Sequence, residues 1–101
     1  MATYRPFLIG TLVATLSTGT AVALTGEKYL PDASVTLPQA RATAVKTYPG
    51  KIVSEELEKE SGGSGLRYSF VIQHHTVKHE VGIDAKTGAV LENSLEGNNP
   101  D

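Results

Sequence analysis

Apolar and polar residues alternate along two neighbouring segments in the second half of the chain. Residues 66–73 place three apolar side chains on one face: Tyr68, Phe70 and Ile72. Residues 77–83 repeat the pattern, with inward-facing Val77, His79, Val81 and Ile83. A period of two is typical of β-strands that bury one face. The two segments therefore predict an antiparallel hairpin.

A turn at His75 and Thr76 would fix the register of this hairpin. It makes inward-facing residues meet in the pairs Ile72–His79, Phe70–Val81 and Tyr68–Ile83. A slip of one residue would put each set on opposite faces of the sheet. Because His75 and Thr76 are poor residues for a tight two-residue turn, a wider turn stays open.

A helical period follows residue 36. Thr36 and Gln39 form a capping-box pattern, and Pro38 is tolerated in the first turn. The apolar face carries Leu37, Ala40, Ala44, Val45 and Tyr48. The opposite positions are predicted to face water: Arg41, Thr43, Lys46 and Thr47. Pro49 and Gly50 end the helix, which we predict from about Thr36 to about Tyr48.

The remaining segments complete a small sheet. Residues 51–60 alternate imperfectly, with Val53, Glu55 and Leu57 on one side, and residues 61–65 form a flexible Ser/Gly hairpin loop. Asp84 begins a turn that Gly88 closes, and residues 89–92 predict a short last strand. The fold class is therefore α+β, with one helix packed on a meander of three or four antiparallel strands.

The first 23 residues predict a signal peptide. Arg5 precedes an apolar stretch of about ten residues, and Ala21-Val22-Ala23 offers a cleavage site after Ala23. A retained membrane anchor is the rival interpretation, and the stretch is short of the roughly 20 residues that cross a bilayer. We expect a secreted or periplasmic protein. The rest divides into residues 24–34, a linker or short strand around Lys28–Leu30, a domain at 35–94 and a flexible tail at 95–101.

Length and composition narrow the classes of function that this chain can have. A chain of 101 residues with 40% apolar content holds one folded domain at most. The net charge is −2 and the basic residues are scattered, so no nucleic-acid surface is expected. Cysteine is absent, which excludes disulfides, thiolate metal sites and cysteine nucleophiles.

The order of elements resembles the PepSY family, known from propeptides of thermolysin-type metallopeptidases and from small exported bacterial proteins. The resemblance covers about Val35 to Glu92, and its most specific part is Asp84-Ala85-Lys86-Thr87-Gly88 followed by Val90. His79 and Gly82 depart from the family pattern, which has an aromatic and a bulkier residue there. The resemblance implies a helix on a meander and a module that restrains peptidases.

Three histidines near the hairpin turn form the strongest candidate site for chemistry. His74, His75 and His79 could hold zinc or copper, since both metals favour imidazole. Adjacent strand residues point to opposite faces, so His74 and His75 should diverge, and at most two histidines should converge. A metal- or ligand-sensing hairpin is therefore an alternative function.

Other polar groups have simpler interpretations. Glu56, Glu58 and Glu60 predict a solvated outer face, and Asp84 predicts a turn former. The serines lack a nucleophile elbow. We predict no catalytic residue, no cofactor and no resident metal, and therefore not an enzyme. The predicted function is an exported binding module whose partner is another exported protein, with a peptidase as one candidate. Its candidate binding edges are the strands around Ile52–Glu58 and Val90–Asn93.

Overall fold

The structure, a computed structural model, describes residues 22–97. In this part of the chain a five-stranded sheet carries one α-helix on one of its faces. The predicted signal peptide at residues 1–23 lies almost wholly outside these residues, as does the end of the predicted tail. The elements are β1 (Leu24–Thr25), a 3-10 helix (Glu27–Asp32), α1 (Leu37–Thr47), β2 (Lys51–Lys59), β3 (Leu66–His74), β4 (Val77–Asp84) and β5 (Val90–Leu95). No helix within residues 22–97 is long and apolar enough to span a bilayer.

The strands lie in chain order, and the predicted antiparallel meander is confirmed for β2 to β5. The prediction of three or four antiparallel strands matches the sheet in part, because β1 adds a fifth strand, which is parallel to β2. A two-residue strand is too short to show an alternation. Gly26, at φ 86°, turns the chain away directly after β1, and a side chain at this position would collide with the Leu57 carbonyl oxygen. Only glycine fits such a close approach.

The segment after Gly26 is helical, and the short strand predicted there is not formed. Lys28–Leu30, where a short strand was expected, lies inside the 3-10 helix, which contains Pro31. Proline suits the start of helical structure and interrupts a sheet ladder, so the short strand precedes this segment instead.

The β3–β4 hairpin has the predicted register. Ile72 lies opposite His79, Phe70 opposite Val81 and Tyr68 opposite Ile83. The wider turn is excluded because His74 pairs directly with Val77. His75 accordingly adopts a left-handed conformation with φ 59°, which tight hairpins demand and which residues other than glycine rarely adopt.

A β-bulge explains the imperfect alternation of β2. Ile52 lies opposite Ile72 and Ser54 lies opposite Val71, so Val53 is the extra residue between them. The bulge shifts the parity, and Ile52 joins the inner face in place of Val53. Glu55 and Leu57 face inward as predicted, and both are buried.

Helix α1 covers the inner face of the sheet. Its predicted capping box is present: the Gln39 N–H donates to the Thr36 hydroxyl and the Thr36 N–H donates to the Gln39 side chain. Ala40 and Ala44 are fully buried, and their small side chains allow close contact with the core residues Leu57, Tyr68, Phe70, Ile72, Val81 and Ile83. The Tyr68 hydroxyl donates to the Val35 carbonyl, 2.7 Å away, and fixes the approach to the helix.

An ion pair fastens α1 to β2. Arg41, expected to face water, forms two bonds with the buried Glu55 carboxylate: Nε to Oε2 at 2.5 Å and Nη2 to Oε1 at 3.0 Å. The Glu55 side chain is 2% exposed and that of Arg41 is 42% exposed. A carboxylate on the inner face needs such a partner, because burial of an unpaired charge is costly. The hydrogen bond to Glu55 raises the pKa of Arg41, so the guanidinium stays charged.

We predict that Arg41→Ala lowers the free energy of unfolding by about 2–3 kcal/mol, because Glu55 is left buried without its counter-ion. The loss is smaller than for a fully buried pair, since water screens the part-exposed Arg41. Urea unfolding at neutral pH measures it. Lys46→Ala removes an exposed cation from the same helix and should cost less than about 1 kcal/mol. Equal losses in the two variants would contradict a structural role for the pair.

Candidate protein-binding surfaces

The free edge of the sheet is β5. It is the last strand of the sheet and pairs with β4 on one side only. Its two end residues, Val90 and Leu95, are large apolar residues that stay 46% and 51% exposed. The other predicted edge, β2, is partly covered, because β1 pairs with Glu55 and Glu56. The structure thus leaves β5 as the longer open edge of the two.

Hydrogen-bond alternation shows which groups the β5 edge offers. The Glu96 N–H donates to the Lys78 carbonyl at 2.9 Å, which makes these two residues a hydrogen-bonded pair. Partners in an antiparallel ladder alternate between bonded and non-bonded pairs. Asn93 and Leu95, which lie opposite Val81 and His79, are therefore in non-bonded pairs. Their backbone N–H and C=O groups point away from β4, on the side where β5 has no neighbouring strand within the described residues.

The three histidines lie near the end of α1 but do not act together. The His79 ring stacks on Tyr48, with centroids 3.8 Å apart and planes 3° from parallel, and its Nδ1 lies 2.7 Å from the Asn93 amide oxygen. His74 and His75, expected to diverge, have ring centroids 4.4 Å apart. The left-handed backbone of His75 removes the strand alternation on which that expectation relied.

A three-histidine metal centre is not formed in the structure. Within residues 22–97 no group of three histidine, cysteine, aspartate or glutamate side chains is arranged to hold a metal ion. His79 is engaged by Tyr48 on its ring face and by Asn93 at Nδ1. His79 instead joins Tyr48, at the end of α1, to Asn93 in β5, which is a structural role.

The glutamates near the first hairpin divide between the two faces of the sheet. Glu55 is on the inner face, bound to Arg41. Glu56, Glu58 and Glu60 are on the outer face, where the Ser69 hydroxyl donates to Glu58 at 2.8 Å. A side-chain hydrogen bond with Glu58 raises the pKa of Glu60, with burial as a smaller cause. A glutamate whose pKa is raised by a neighbouring carboxyl group shows that negative charge is crowded here.

Asp84 is a buried turn former with an additional role. Its carboxylate accepts the backbone N–H groups of Lys86 and Thr87, as the turn prediction requires, at 2.8 and 3.1 Å. It also accepts the Ser64 N–H at 2.6 Å and the Ser64 hydroxyl at 2.8 Å. The loop at residues 61–65, expected to be flexible, is thereby fastened to the Asp84 turn. No local pattern predicts this contact, because its residues are 20 positions apart.

Hydrogen bonding decides the protonation of Asp84. Burial acts to raise its pKa, but the bonds from Ser64, Lys86 and Thr87 outweigh burial and lower the pKa to about 2. A carboxylate held so firmly in its ionised form is a poor proton acceptor. The Ser64 hydroxyl donates to this carboxylate, and the contact holds the loop in place. An open cleft of about 340 Å³ beside this turn is lined by Asp32, Lys59, Ser64, Gly65, Leu66 and Lys86.

Comparison with known proteins gives one match. The family model PepSY, described as "Peptidase propeptide and YPEB domain", matches residues 34–93. No curated protein and no solved structure matches the chain. The matched span includes α1 and β2 to β4, and it ends within β5.

We predict that Asp84→Asn lowers the free energy of unfolding by about 2 kcal/mol at neutral pH. Because folding lowers the pKa of Asp84, its contribution is complete above about pH 4 and is lost as the pH falls toward about 2. Urea unfolding across this range should show a shallower decline for the variant than for the wild type. Asp32→Asn, at an exposed aspartate, should keep the wild-type pH dependence. Parallel declines in the wild type and Asp84→Asn would contradict the assignment.

Proposed function

The chain belongs to the PepSY family, and from that premise we propose that it is a non-catalytic exported binding module that restrains a peptidase or another extracytoplasmic protein. PepSY domains are typically non-catalytic regulatory modules outside the cytoplasm and generally interact with peptidases. A peptidase is accordingly the first class of partner to test.

The open edge of β5 is the observation that supports this proposal. Its outward N–H and C=O groups at Asn93 and Leu95 are the groups that an added strand would bond. Exposed Val90 and Leu95, the two end residues of the strand, offer apolar contact to alternate side chains of a bound segment. Backbone bonds would supply affinity and these side chains would supply selectivity.

Features of the edge also limit unwanted pairing. The edge strand is six residues long and carries Glu92, whose charge discourages self-association. The register shift near Leu91 distorts the start of the strand, which leaves residues 92–95 as the regular part. A bound segment would therefore be short, in keeping with a regulatory contact.

We predict that Asn93→Pro abolishes most of the restraint on the partner, because proline removes the outward N–H at the centre of the regular edge. The matched control is Asn93→Ala, which also loses the side-chain contact with His79 but keeps the N–H. The measurement is hydrolysis of a peptide substrate by a thermolysin-type metallopeptidase, or by the peptidase that crosslinks to the chain in the exported fraction. At a fixed concentration of each variant, Asn93→Ala should slow hydrolysis as the wild type does.

The design separates loss of binding from loss of folding. Since the Asn93 N–H does not pair with β4, the thermal unfolding midpoints of the two variants should be close. Ser94→Pro, whose N–H points to Glu80 in β4, should lower the midpoint clearly. Restraint by Asn93→Pro equal to that of Asn93→Ala would refute binding at this edge.

A further inference from the structure

The outer face of the sheet concentrates negative charge. Five glutamates, here called the acidic face, point away from α1: Glu56, Glu58, Glu60, Glu80 and Glu92. The register places Glu56 opposite Ser69, Ser69 opposite Gly82, and Gly82 opposite Glu92, so one row across β2 to β5 begins and ends with a carboxylate. Glu80 lies in the next outer-face row on one side of this row, and Glu58 lies in the next row on the other side. The basic side chains of Lys51 and Lys78 lie at the far end, on either side of Gln73.

This charge is poorly compensated within the described residues. Burial raises the pKa of Glu80, and the negative charges of Glu92, Glu58, Glu60 and Glu56 raise it further. The cation among these glutamates is Arg67, whose Nη1 is 3.3 Å from Glu92 and 3.7 Å from Glu60. One guanidinium amid five carboxylates leaves an excess of negative charge, and cationic groups brought to this face would relieve it.

Arg67 provides a second and independent observation. It is only 8% exposed, its Nη2 donates to the Ser61 carbonyl, and its buried Nε finds no hydrogen-bond acceptor within residues 22–97. A buried donor without an acceptor is uncommon and costs about 1–3 kcal/mol. The donor belongs to the group at the centre of the acidic face, and because it is buried, an acceptor on a ligand reaches it only when the Arg67 side chain reorients.

Gly82 makes this arrangement possible. A Cβ atom at position 82 would lie 2.9 Å from Arg67 Cδ and 3.3 Å from Glu92 Cβ. The missing side chain therefore leaves the space through which Arg67 crosses the sheet to reach Glu92.

We propose that the acidic face binds an extended basic segment of a partner protein, with lysine or arginine at alternate positions. In an extended chain, side chains on one side repeat about every 6.8 Å, which is also the spacing of successive outer-face residues along a strand. Glu56, Glu58 and Glu60 follow one another at this spacing along β2 and beyond its end. The cationic side chains meet the glutamates, and a backbone carbonyl of the segment accepts from a reoriented Arg67 Nε. The inference rests on the proposed function only in that the chain is a protein-binding module, since it uses a different surface from the β5 edge.

The test uses the full chain and a short synthetic peptide with lysine at every second position and threonine between. Fluorescence anisotropy should show binding that weakens strongly between about 50 mM and about 500 mM salt, where exposed charges are screened. The same peptide with glutamate in place of lysine should not bind. Equal binding of the two peptides, or no binding of the lysine peptide at low salt, would overturn the proposal.

Two double variants locate the binding site. Glu56→Gln with Glu80→Gln should weaken the lysine peptide about tenfold, since each lost ion pair contributes modestly. Neither carboxylate bonds another side chain within residues 22–97, and loss of repulsion at Glu80 should maintain stability, so weaker binding would not reflect unfolding. Glu27→Gln with Asp32→Asn changes net charge equally in the 3-10 helix and should bind as the wild type does. Equal weakening in the two double variants would show a non-specific charge effect and refute the site.

A spectroscopic signal tests the part played by Arg67. Addition of the lysine peptide should shift the Arg67 Nε–H resonance in the direction of a hydrogen-bonded group, and an unchanged resonance would remove Arg67 from the proposal.

Asn93→Pro should bind the lysine peptide as tightly as the wild type. Failure at the β5 edge and failure at the acidic face therefore produce different results, in peptidase restraint and in peptide binding respectively.

Discussion

The packing of one helix on one face of the sheet is the constraint on which the rest of this structure depends. Ala40 and Ala44 lie fully buried against the inner-face residues Tyr68, Phe70 and Val81, and their small size brings the helix close to the strands. A domain this short has a small core, so its stability needs supplements from polar contacts. The Arg41–Glu55 pair and the Asp84 turn supply them. The first holds the helix to β2, and the second holds two loops together.

A single covering helix has a consequence for function. The inner face is used for folding, so contacts with other proteins are left to the strand edges and the outer face. Edge strands expose backbone groups that extended segments can bond, whereas an outer face offers side chains only. In this chain the two kinds of surface differ in chemistry: β5 presents backbone groups between apolar ends, and the outer face presents crowded carboxylates around Arg67. The two surfaces adjoin at Glu92, which belongs to both, so one partner could contact both through a strand and its flanking basic residues.

The sequence predicted those parts of the fold that depend on periodicity or on local chemistry. Alternation set the β3–β4 register, and the capping box and Pro49 set the limits of α1. Prediction from the sequence failed where a contact joins residues that are distant along the chain. Strand β1 has two residues and no period, and the bulge at Val53 reverses the parity that alternation assumes. Glu55 on the inner face was a usable signal, because a buried carboxylate demands a cation, and Arg41 at the margin of the helix face could have been proposed as its partner.

The acidic face shows why a candidate site is harder to predict than a fold. The outward direction of Glu56, Glu58 and Glu60 follows from alternation, and a solvated face is the ordinary interpretation of that pattern. What changes the interpretation is the convergence of Glu80 and Glu92 from β4 and β5 with Arg67 from β3, which requires the full register of four strands. Gly82 carried the relevant hint, since a glycine inside a strand often marks the close approach of another group. The group in this case is the stem of Arg67, and its guanidinium is held among carboxylates that exceed it in charge. An excess of this kind is poorly explained by folding alone, because neutral residues in place of the crowded carboxylates would stabilise the face better.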